Sequence, residues 1–289
     1  MSRIVFALMW LVHWLPMGAI AAVGNLVGDA AFWLIPERRK VTRINLAQCF
    51  PQMPPLERER LARAHFRAFM RSFVEHALLW WAPRERIVRL VRVEGLERLR
   101  ELSGQPVILV APHFVGIDAA YTRLGCEIPI AGLYAHQKNP VYDGLLLRGR
   151  TRFGLSRAIP RQEGVRAVIA SIRSGLPFYY APDLDFGRKD AVFVPFFGVI
   201  AATITGVSRL AKVTGAKVMP CIARMLPGGR GYVVSILPVL ENFPTQDVEA
   251  DTRRVNAFIE EQVLAMPEQY YWVHKRFKTR PEGEPSPYA

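Results

Sequence analysis

The stretch that decides the fold is Val107-Ile-Leu-Val-Ala-Pro-His113-Phe-Val-Gly-Ile-Asp118. Val107 to Ala111 is apolar and rich in β-branched residues without alternation, which is typical of a strand buried on both faces of a sheet. Pro112 ends this strand, and the residues after it suit a helix. The sequence therefore predicts that His113 lies at a strand-to-helix corner, with Asp118 in the first turns of the helix.

His113 and Asp118 form a candidate general base and its orienting carboxylate. Five positions along one helix would separate the side chains by roughly 140°, so they meet only if His113 precedes the helix. A carboxylate on one imidazole nitrogen fixes the tautomer and frees the other nitrogen to take a proton from a hydroxyl. A bare His-x4-Asp is equally a capping histidine beside a solvated aspartate, and taken alone it favours that interpretation.

Composition indicates one sizeable α/β domain plus an appendage. The chain has 289 residues and is 51% hydrophobic, enough for a large core. Lys and Arg number 38 against 25 Asp and Glu, and the net charge of +13 suggests an anionic partner: nucleic acid, an anionic membrane surface, or an acidic substrate or carrier. The three cysteines are far apart, so neither a disulfide framework nor a zinc site is predicted, and a reducing compartment is the simplest inference.

Residues 1–35 are predicted to form a retained membrane anchor. No Asp, Glu, Lys or Arg lies between Arg3 and Asp29, and the apolar character continues to Ile35. This length suffices to cross the hydrocarbon layer. The basic run Arg38-Arg39-Lys40 follows at once and places the next domain on the cytoplasmic side.

Two alternatives remain open for this segment. Pro16 and the glycines at 18, 24 and 28 would break it into shorter helices that lie in the membrane interface. The small residues Ala19-Ile20-Ala21 after a short apolar run also resemble the end of a cleavable signal peptide.

Residues 36–88 are predicted to be a basic amphipathic helical part. Residues 36–100 hold 15 Lys and Arg against 7 Asp and Glu. A helical stripe consists of Phe66, Phe69, Met70, Phe73, Val74, Ala77, Leu78 and Trp81, and arginines 60, 63, 67 and 71 fall largely outside it. Such a helix either lies on anionic lipid or packs on the core with solvated arginines. Nucleic-acid binding is disfavoured because the aromatic residues are not interleaved with the arginines.

Residues 89–280 alternate predicted strands and helices, which indicates a mainly parallel central sheet flanked by helices. The predicted strands are 89–93, 107–111, 128–134, 177–181, 217–224 and 231–237, and the last two are expected to be antiparallel. The predicted helices are 114–124, 140–152, 163–174, 203–214 and 248–265. Residues 281–289 are expected to be a loose tail.

No serine elbow, phosphate-binding loop, zinc-protease motif or dinucleotide fingerprint is present, so His113 lacks an obvious protein nucleophile. Three further sequence motifs accompany the His113–Asp118 pair. They are Tyr134-Ala-His-Gln-Lys-Asn139-Pro-Val-Tyr-Asp143 with Arg148-Gly-Arg150; Tyr180-Ala-Pro-Asp183-Leu-Asp185-Phe-Gly187-Arg188-Lys189; and Gln269-Tyr-Tyr-Trp-Val-His274-Lys-Arg276-Phe-Lys-Thr-Arg280-Pro. With the His-x4-Asp segment, these strings closely resemble the secondary acyltransferases of lipid A biosynthesis, from about residue 38 to Pro281.

The resemblance implies a glycerolipid acyltransferase-like α/β fold and an inner-membrane enzyme. Such an enzyme moves a fatty acyl group from acyl carrier protein to a hydroxyl on an acyl chain of a lipid A precursor. It implies no metal and no cofactor other than the acyl carrier protein donor. One departure is that many members carry glutamate where this chain has Asp118, so transfer to another hydroxyl lipid, a lysophospholipid or ornithine lipid, stays open. A non-enzymatic membrane-binding protein is the third possibility.

The resemblance also assigns site residues. His113 and Asp118 are expected to be catalytic. Asn139, Arg150, Arg161, Asp183, Arg188 and Lys189 are expected to contact the substrate or shape the site. Asn139 is alternatively a turn residue before Pro140, and Asp183 and Asp185 alternatively cap a turn. Tyr270, Trp272 and His274 alternate, which suggests a terminal strand or an interfacial aromatic patch, with His274 in a structural role.

Overall fold

The computed structural model describes residues 2–289, and its account of side chains begins at residue 4. Met1 and the side chain of Arg3, on which part of the anchor prediction rests, lie outside the described residues. The helices are α1 Ser2–Val12, α2 Met17–Leu34, α3 Pro36–Cys49, α4 Pro55–Trp81, α5 Arg84–Leu90, α6 Leu96–Arg100, α7 Ile117–Leu124, α8 Pro140–Thr151, α9 Gly164–Arg173, α10 Gly206–Thr214 and α11 Val248–Ala265. Short 3-10 turns cover Arg161–Glu163, Pro227–Gly229 and Pro267–Gln269. The strands are β1 Val91–Glu94, β2 Val107–Val110, β3 Ile130–Tyr134, β4 Ser156–Pro160, β5 Phe178–Tyr180, β6 Ala191–Phe196, β7 Val199–Ile204, β8 Lys217–Met225 and β9 Tyr232–Ile236.

Seven strands form the central sheet, in the order β1-β9-β8-β2-β5-β3-β4. Its pairs are parallel except β8 with β9, which are antiparallel. The predicted mainly parallel sheet flanked by helices is therefore confirmed, as is the antiparallel pair at the end. β2 is buried along its whole length because neighbouring strands cover both edges and helices cover both faces, as its unbroken apolar run predicts.

The helical stripe on α4 packs into the core. Phe66, Ala77 and Leu78 are buried, whereas Arg60, Arg63 and Arg67 are exposed. Arg71 was expected either to contact lipid or to be solvated, but its charged side chain is buried. Its Nε donates to Glu75 one turn later at 2.5 Å, which allows the guanidinium to be buried.

The amino-terminal segment folds as two helices that pack on the rest of the chain. Pro16 separates α1 from α2, whereas the glycines at 24 and 28 lie inside α2 and do not break it. A Cβ at either glycine would lie 2.5 Å from the backbone of α4, at Arg71 Cα and Arg67 Cα respectively. The glycines therefore let the two helix backbones approach, and both are buried.

Both amino-terminal helices nevertheless expose a large apolar surface. Exposed residues include Leu8, Leu11 and Trp14 around α1, and Leu26 and Leu34 on α2. Among the described residues, α2 is the one helix long and apolar enough to cross a membrane, judged by length and composition.

Several local features differ from the sequence predictions. The strand β4 and the hairpin β6–β7 were not predicted, and residues 203 and 204, predicted as helix, belong to β7. Tyr270 and Trp272 form neither a strand nor a surface patch, because both are buried in the core beside Phe114 and Phe196. The tail predicted to be loose is held to the rest of the chain by a hydrogen bond, in which the hydroxyl of Tyr288 donates to Asn45.

The close contact between α2 and α4 predicts the effect of Gly28→Ala. The new methyl group would overlap the backbone at Arg67 and should lower the free energy of unfolding by about 1–3 kcal/mol. Gly18→Ala is the matched control in the same helix, because a Cβ there has no atom within 4 Å. Denaturant unfolding in detergent measures both variants, and equal stabilities would contradict the close contact.

Candidate active site

His113 and Asp183 meet because they follow adjacent parallel strands. In the register of β2 and β5, Val110 lies opposite Tyr180, and each side chain comes three residues later. The His113 backbone N–H donates to Asp183 Oδ2 at 3.0 Å, and His113 Nδ1 lies 2.7 Å from Asp183 Oδ1. Ligand sites in open α/β sheets lie at this carboxyl edge.

This contact defines the chemistry of the imidazole. A carboxylate only accepts hydrogen bonds, so Nδ1 carries the proton and Nε2 keeps its lone pair. Asp183 is fully buried, which alone would raise its pKa, but the hydrogen bonds and charge of His113 outweigh burial and lower the pKa of Asp183. Tyr271 stacks on the imidazole, with ring centroids 6.0 Å apart. His113 is thus held in one orientation with Nε2 as its available basic atom.

Asp118 does not orient His113 directly. In the first turn of α7, its Oδ1 accepts from Arg150 Nε at 2.8 Å and Arg150 Nη2 at 2.6 Å, and its Oδ2 lies 3.1 Å from His76 Nε2. The predicted hydrogen bond between His113 and Asp118 is replaced by the bond to Asp183. This arrangement is not visible in the sequence around Asp118, because the groups that engage its carboxylate come from α4 and α8.

The electrostatics of Asp118 follow from these partners. Burial alone would raise the pKa of the carboxyl group, but the charge of Arg150 and the hydrogen bond from His76 hold it well below its ordinary value. Asp118 in turn raises the pKa of the buried Arg150 guanidinium against the opposing effect of burial. The pair is a fixed anion and cation that joins two helices by charge-assisted hydrogen bonds.

A cavity of about 840 Å³ lies in front of these groups. His113, Asp118 and Arg150 contribute polar groups to its wall. Much of the remaining lining is apolar and consists of Ile117, Leu133, Val165, Val168, Ile169, Phe178, Leu210 and Val213. Arg161, Lys189 and Arg209 add cationic groups. The cavity therefore combines an oriented base with space for a long apolar chain and binding groups for an anion.

Comparison with known proteins identifies the family. The chain matches the model for "Bacterial lipid A biosynthesis acyltransferase" over residues 2–279. It is 35% identical to the lipid A biosynthesis lauroyltransferase of Escherichia coli K12 over 97% of this chain and 92% of that protein. It is also 35% identical to a lipid A biosynthesis acyltransferase of Haemophilus influenzae, over 91% and 86% of the two chains. The E. coli myristoyltransferase is 32% identical over 93% and 83%.

This chain belongs to the bacterial lipid A biosynthesis acyltransferase family. The resemblance drawn from the sequence strings is confirmed, and the chain is an acyltransferase of that family.

In this family member, the other predicted site residues divide into two groups. Arg150, Arg161 and Lys189 line the cavity, and Asp183 lies behind His113. Asn139 instead caps α8, where its side-chain oxygen accepts from the N–H groups of residues 141 and 142. This contact corresponds to the turn role given as the alternative for Asn139, and the cap begins the helix α8 that carries Arg150.

Arg188 is also not among the residues that line this cavity. Its Nη2 donates to the Arg280 carbonyl at 2.7 Å and its guanidinium lies over the Phe193 ring, so it joins the carboxyl-terminal segment to the hairpin. Asp185 accepts from Gly187 and Thr279, as expected for a turn-capping aspartate. Asp183 and Asp185, which are separated by one residue, therefore make different contacts: Asp183 binds His113 and Asp185 caps a turn.

His76 and Tyr271 are the site residues that the sequence analysis missed. His76 lies on the long helix α4, where no motif in the neighbouring sequence marks it as a site residue, and its Nδ1 is bonded to the Ser72 carbonyl.

Burial lowers the pKa of His274 to about 4, and this neutral ring accepts the backbone N–H of Asp185. The structural role expected for His274 agrees with this contact.

We expect Asp183→Asn to reduce the kcat of acyl transfer by about 10³–10⁴-fold with little change in KM, because an amide does not hold the required imidazole tautomer. Asp185→Asn is the control, since Asp185 contacts the turn rather than His113, and its kcat should stay within tenfold of wild type. A normal kcat for Asp183→Asn would show that the bond to His113 has no role in catalysis.

The depressed pKa of Asp118 predicts the pH dependence of stability. The unfolded carboxyl group titrates near 3.9, so the contribution of Asp118 is fully present above about pH 5 and is lost as the pH falls toward the folded value. Asp118→Asn should be less stable than wild type at pH 6, and the difference should shrink toward pH 3. Unfolding curves at several pH values test this, and a difference independent of pH would contradict it.

Proposed function

We propose that this protein transfers a fatty acyl group from acyl carrier protein to a hydroxyl on an acyl chain of a lipid A precursor. Family membership supports lipid A as the acceptor class. The observation that carries the chemistry is the His113–Asp183 pair at the wall of a cavity with a largely apolar lining.

In the proposed reaction, the nucleophile is the hydroxyl of the acceptor. His113 Nε2 takes its proton while the oxygen attacks the thioester carbonyl, and Asp183 stabilises the imidazolium that forms. The tetrahedral intermediate then expels the thiolate of the carrier's prosthetic group, which takes the proton from His113. A new C–O bond replaces the C–S bond, and the step balances without a metal or further cofactor.

Arg150 is the proposed donor to the oxyanion of the intermediate. Its Nε and Nη2 donate to Asp118, so the two N–H groups of Nη1 and the second N–H of Nη2 are not used by Asp118, and the side chain lines the cavity. A donor that is already held in place needs no reorganisation when the negative charge develops. Asp118 therefore acts in catalysis by positioning Arg150, while His76 holds the other oxygen of the carboxylate.

The rest of the cavity suits an amphiphilic substrate. The apolar lining accommodates a fatty acyl chain by burying its methylene groups. Arg161 and Lys189 supply the cations expected near phosphate or sugar carboxylate groups of the acceptor.

The proposed location is the bacterial inner membrane, with the catalytic domain on the cytoplasmic side. The exposed apolar residues of α1 and α2 support insertion into the bilayer, and the net charge of +13 suits its anionic surface. The same charge suits an acidic carrier protein as donor.

The decisive test combines genetics with a purified enzyme. Deletion of this chain's coding sequence should remove one secondary acyl group from lipid A, as read by mass spectrometry. His113→Ala protein should fail to restore the group in cells and should lose transfer from acyl carrier protein in detergent. Transfer to a lysophospholipid or ornithine lipid with unchanged lipid A would overturn the proposed acceptor, and undiminished transfer by His113→Ala would overturn the proposed base.

A further inference from the structure

A second cavity, of about 490 Å³, lies between α2, α4 and the turn after β8. Its lining includes four arginines from α4, namely Arg60, Arg63, Arg67 and Arg71, against one carboxylate, Glu268. It shares no lining residue with the cavity that contains His113. We refer to it below as the arginine groove.

The packing of α2 on α4 places these arginines. Gly24 lies against the backbone at Arg71 and Gly28 lies against it at Arg67. The four arginines line the groove together with Asn25 of α2. Like charges three and four residues apart on one helix repel each other. The fold therefore holds together a row of cations whose repulsion an anion would relieve.

The carboxylates of the protein pair with only two of the four arginines. Asp29 pairs with Arg67 at 2.7 Å and Glu75 pairs with Arg71. Among the described residues, Arg60 and Arg63 have no acidic partner, and the Arg63 guanidinium lies 5.1 Å from the centroids of the Phe32 and Trp33 rings.

Arg71 gives the second, independent indication of a ligand. It is 5% exposed; its Nε donates to Glu75 and its Nη1 to the Leu226 carbonyl at 3.0 Å. Its Nη2 is buried with no hydrogen-bond partner in the described part of the chain. A buried charged donor without a partner is destabilising, and an oxygen of a bound anion would satisfy it.

The surface beside the arginine groove indicates what kind of anion fits. Asn25 lines the groove, and Leu26 next to it is 71% exposed. Further along α2, Trp33 and Leu34 are 60% and 78% exposed. A ligand with an anionic head and acyl chains would engage both surfaces, whereas an acidic soluble protein would leave the exposed leucines without an apolar partner.

We propose that the arginine groove binds the phosphate head group of an anionic glycerophospholipid of the bilayer, whose acyl chains lie along the exposed face of α2. This site is separate from the acceptor site and rests on the proposed membrane location. It fixes the height and tilt of the enzyme at the membrane, because one lipid then bridges α2 and α4.

The test is native mass spectrometry of the full chain in neutral detergent with defined lipids. Wild-type protein should bind one phosphatidylglycerol at least tenfold more tightly than phosphatidylcholine. Arg60→Gln with Arg63→Gln should remove most of this preference, whereas Arg92→Gln with Arg166→Gln, two exposed arginines that line neither cavity, should keep it. Arg71 is left intact because its bond to Glu75 belongs to the core.

Three outcomes would overturn the proposal. They are equal binding of the two lipids, inorganic phosphate that displaces phosphatidylglycerol at a similar concentration, and acyl carrier protein that competes for the same arginines. Binding is also measured on His113→Ala protein. Lipid preference retained in that variant separates the head-group site from the proposed acyl transfer, so the failure of one does not hide the other.

Discussion

The parallel pairing of β2 with β5 is the constraint on which the site depends. It places the residues that follow the two strands side by side, so that His113 and Asp183 share two hydrogen bonds through the imidazole and the backbone N–H. Both strands are buried apolar segments inside the sheet, and they pair in the register that runs from Ile108 opposite Phe178 to Val110 opposite Tyr180. The orientation of the base is thus set by the core of the protein rather than by a mobile loop.

A second group of contacts lies at the wall of the same cavity. Asp118 on α7 joins Arg150 of α8 and His76 of α4, so three helices converge on one carboxylate. Asn139 contributes from a distance by capping α8. Motif residues that do not touch the cavity therefore still position those that do. The geometry of the site around His113 therefore depends on side chains from helices that are far apart in the sequence.

The sequence predicted the sheet well because uninterrupted apolar runs such as Val107–Val110 have few alternative structures. Its motifs also named His113, Asp183 and Arg150, and the structure places His113 and Arg150 at one cavity with Asp183 bonded to His113. The sequence did not predict contacts between residues that are far apart along the chain. Nothing near Asp118 reveals that Arg150 and His76 engage its two oxygens. The glycines of α2 resembled helix breakers because their function, close approach to α4, is visible only when the partner helix is present.

The central claim is that Asp183, and not Asp118, fixes the imidazole of His113. Nitrogen NMR of protein labelled with ¹⁵N-histidine tests it most directly, because it reports which ring nitrogen carries the proton. We expect a His113 signal protonated at Nδ1 that changes in Asp183→Asn and is preserved in Asp118→Asn. A tautomer that is unaffected by Asp183→Asn but altered by Asp118→Asn would contradict it.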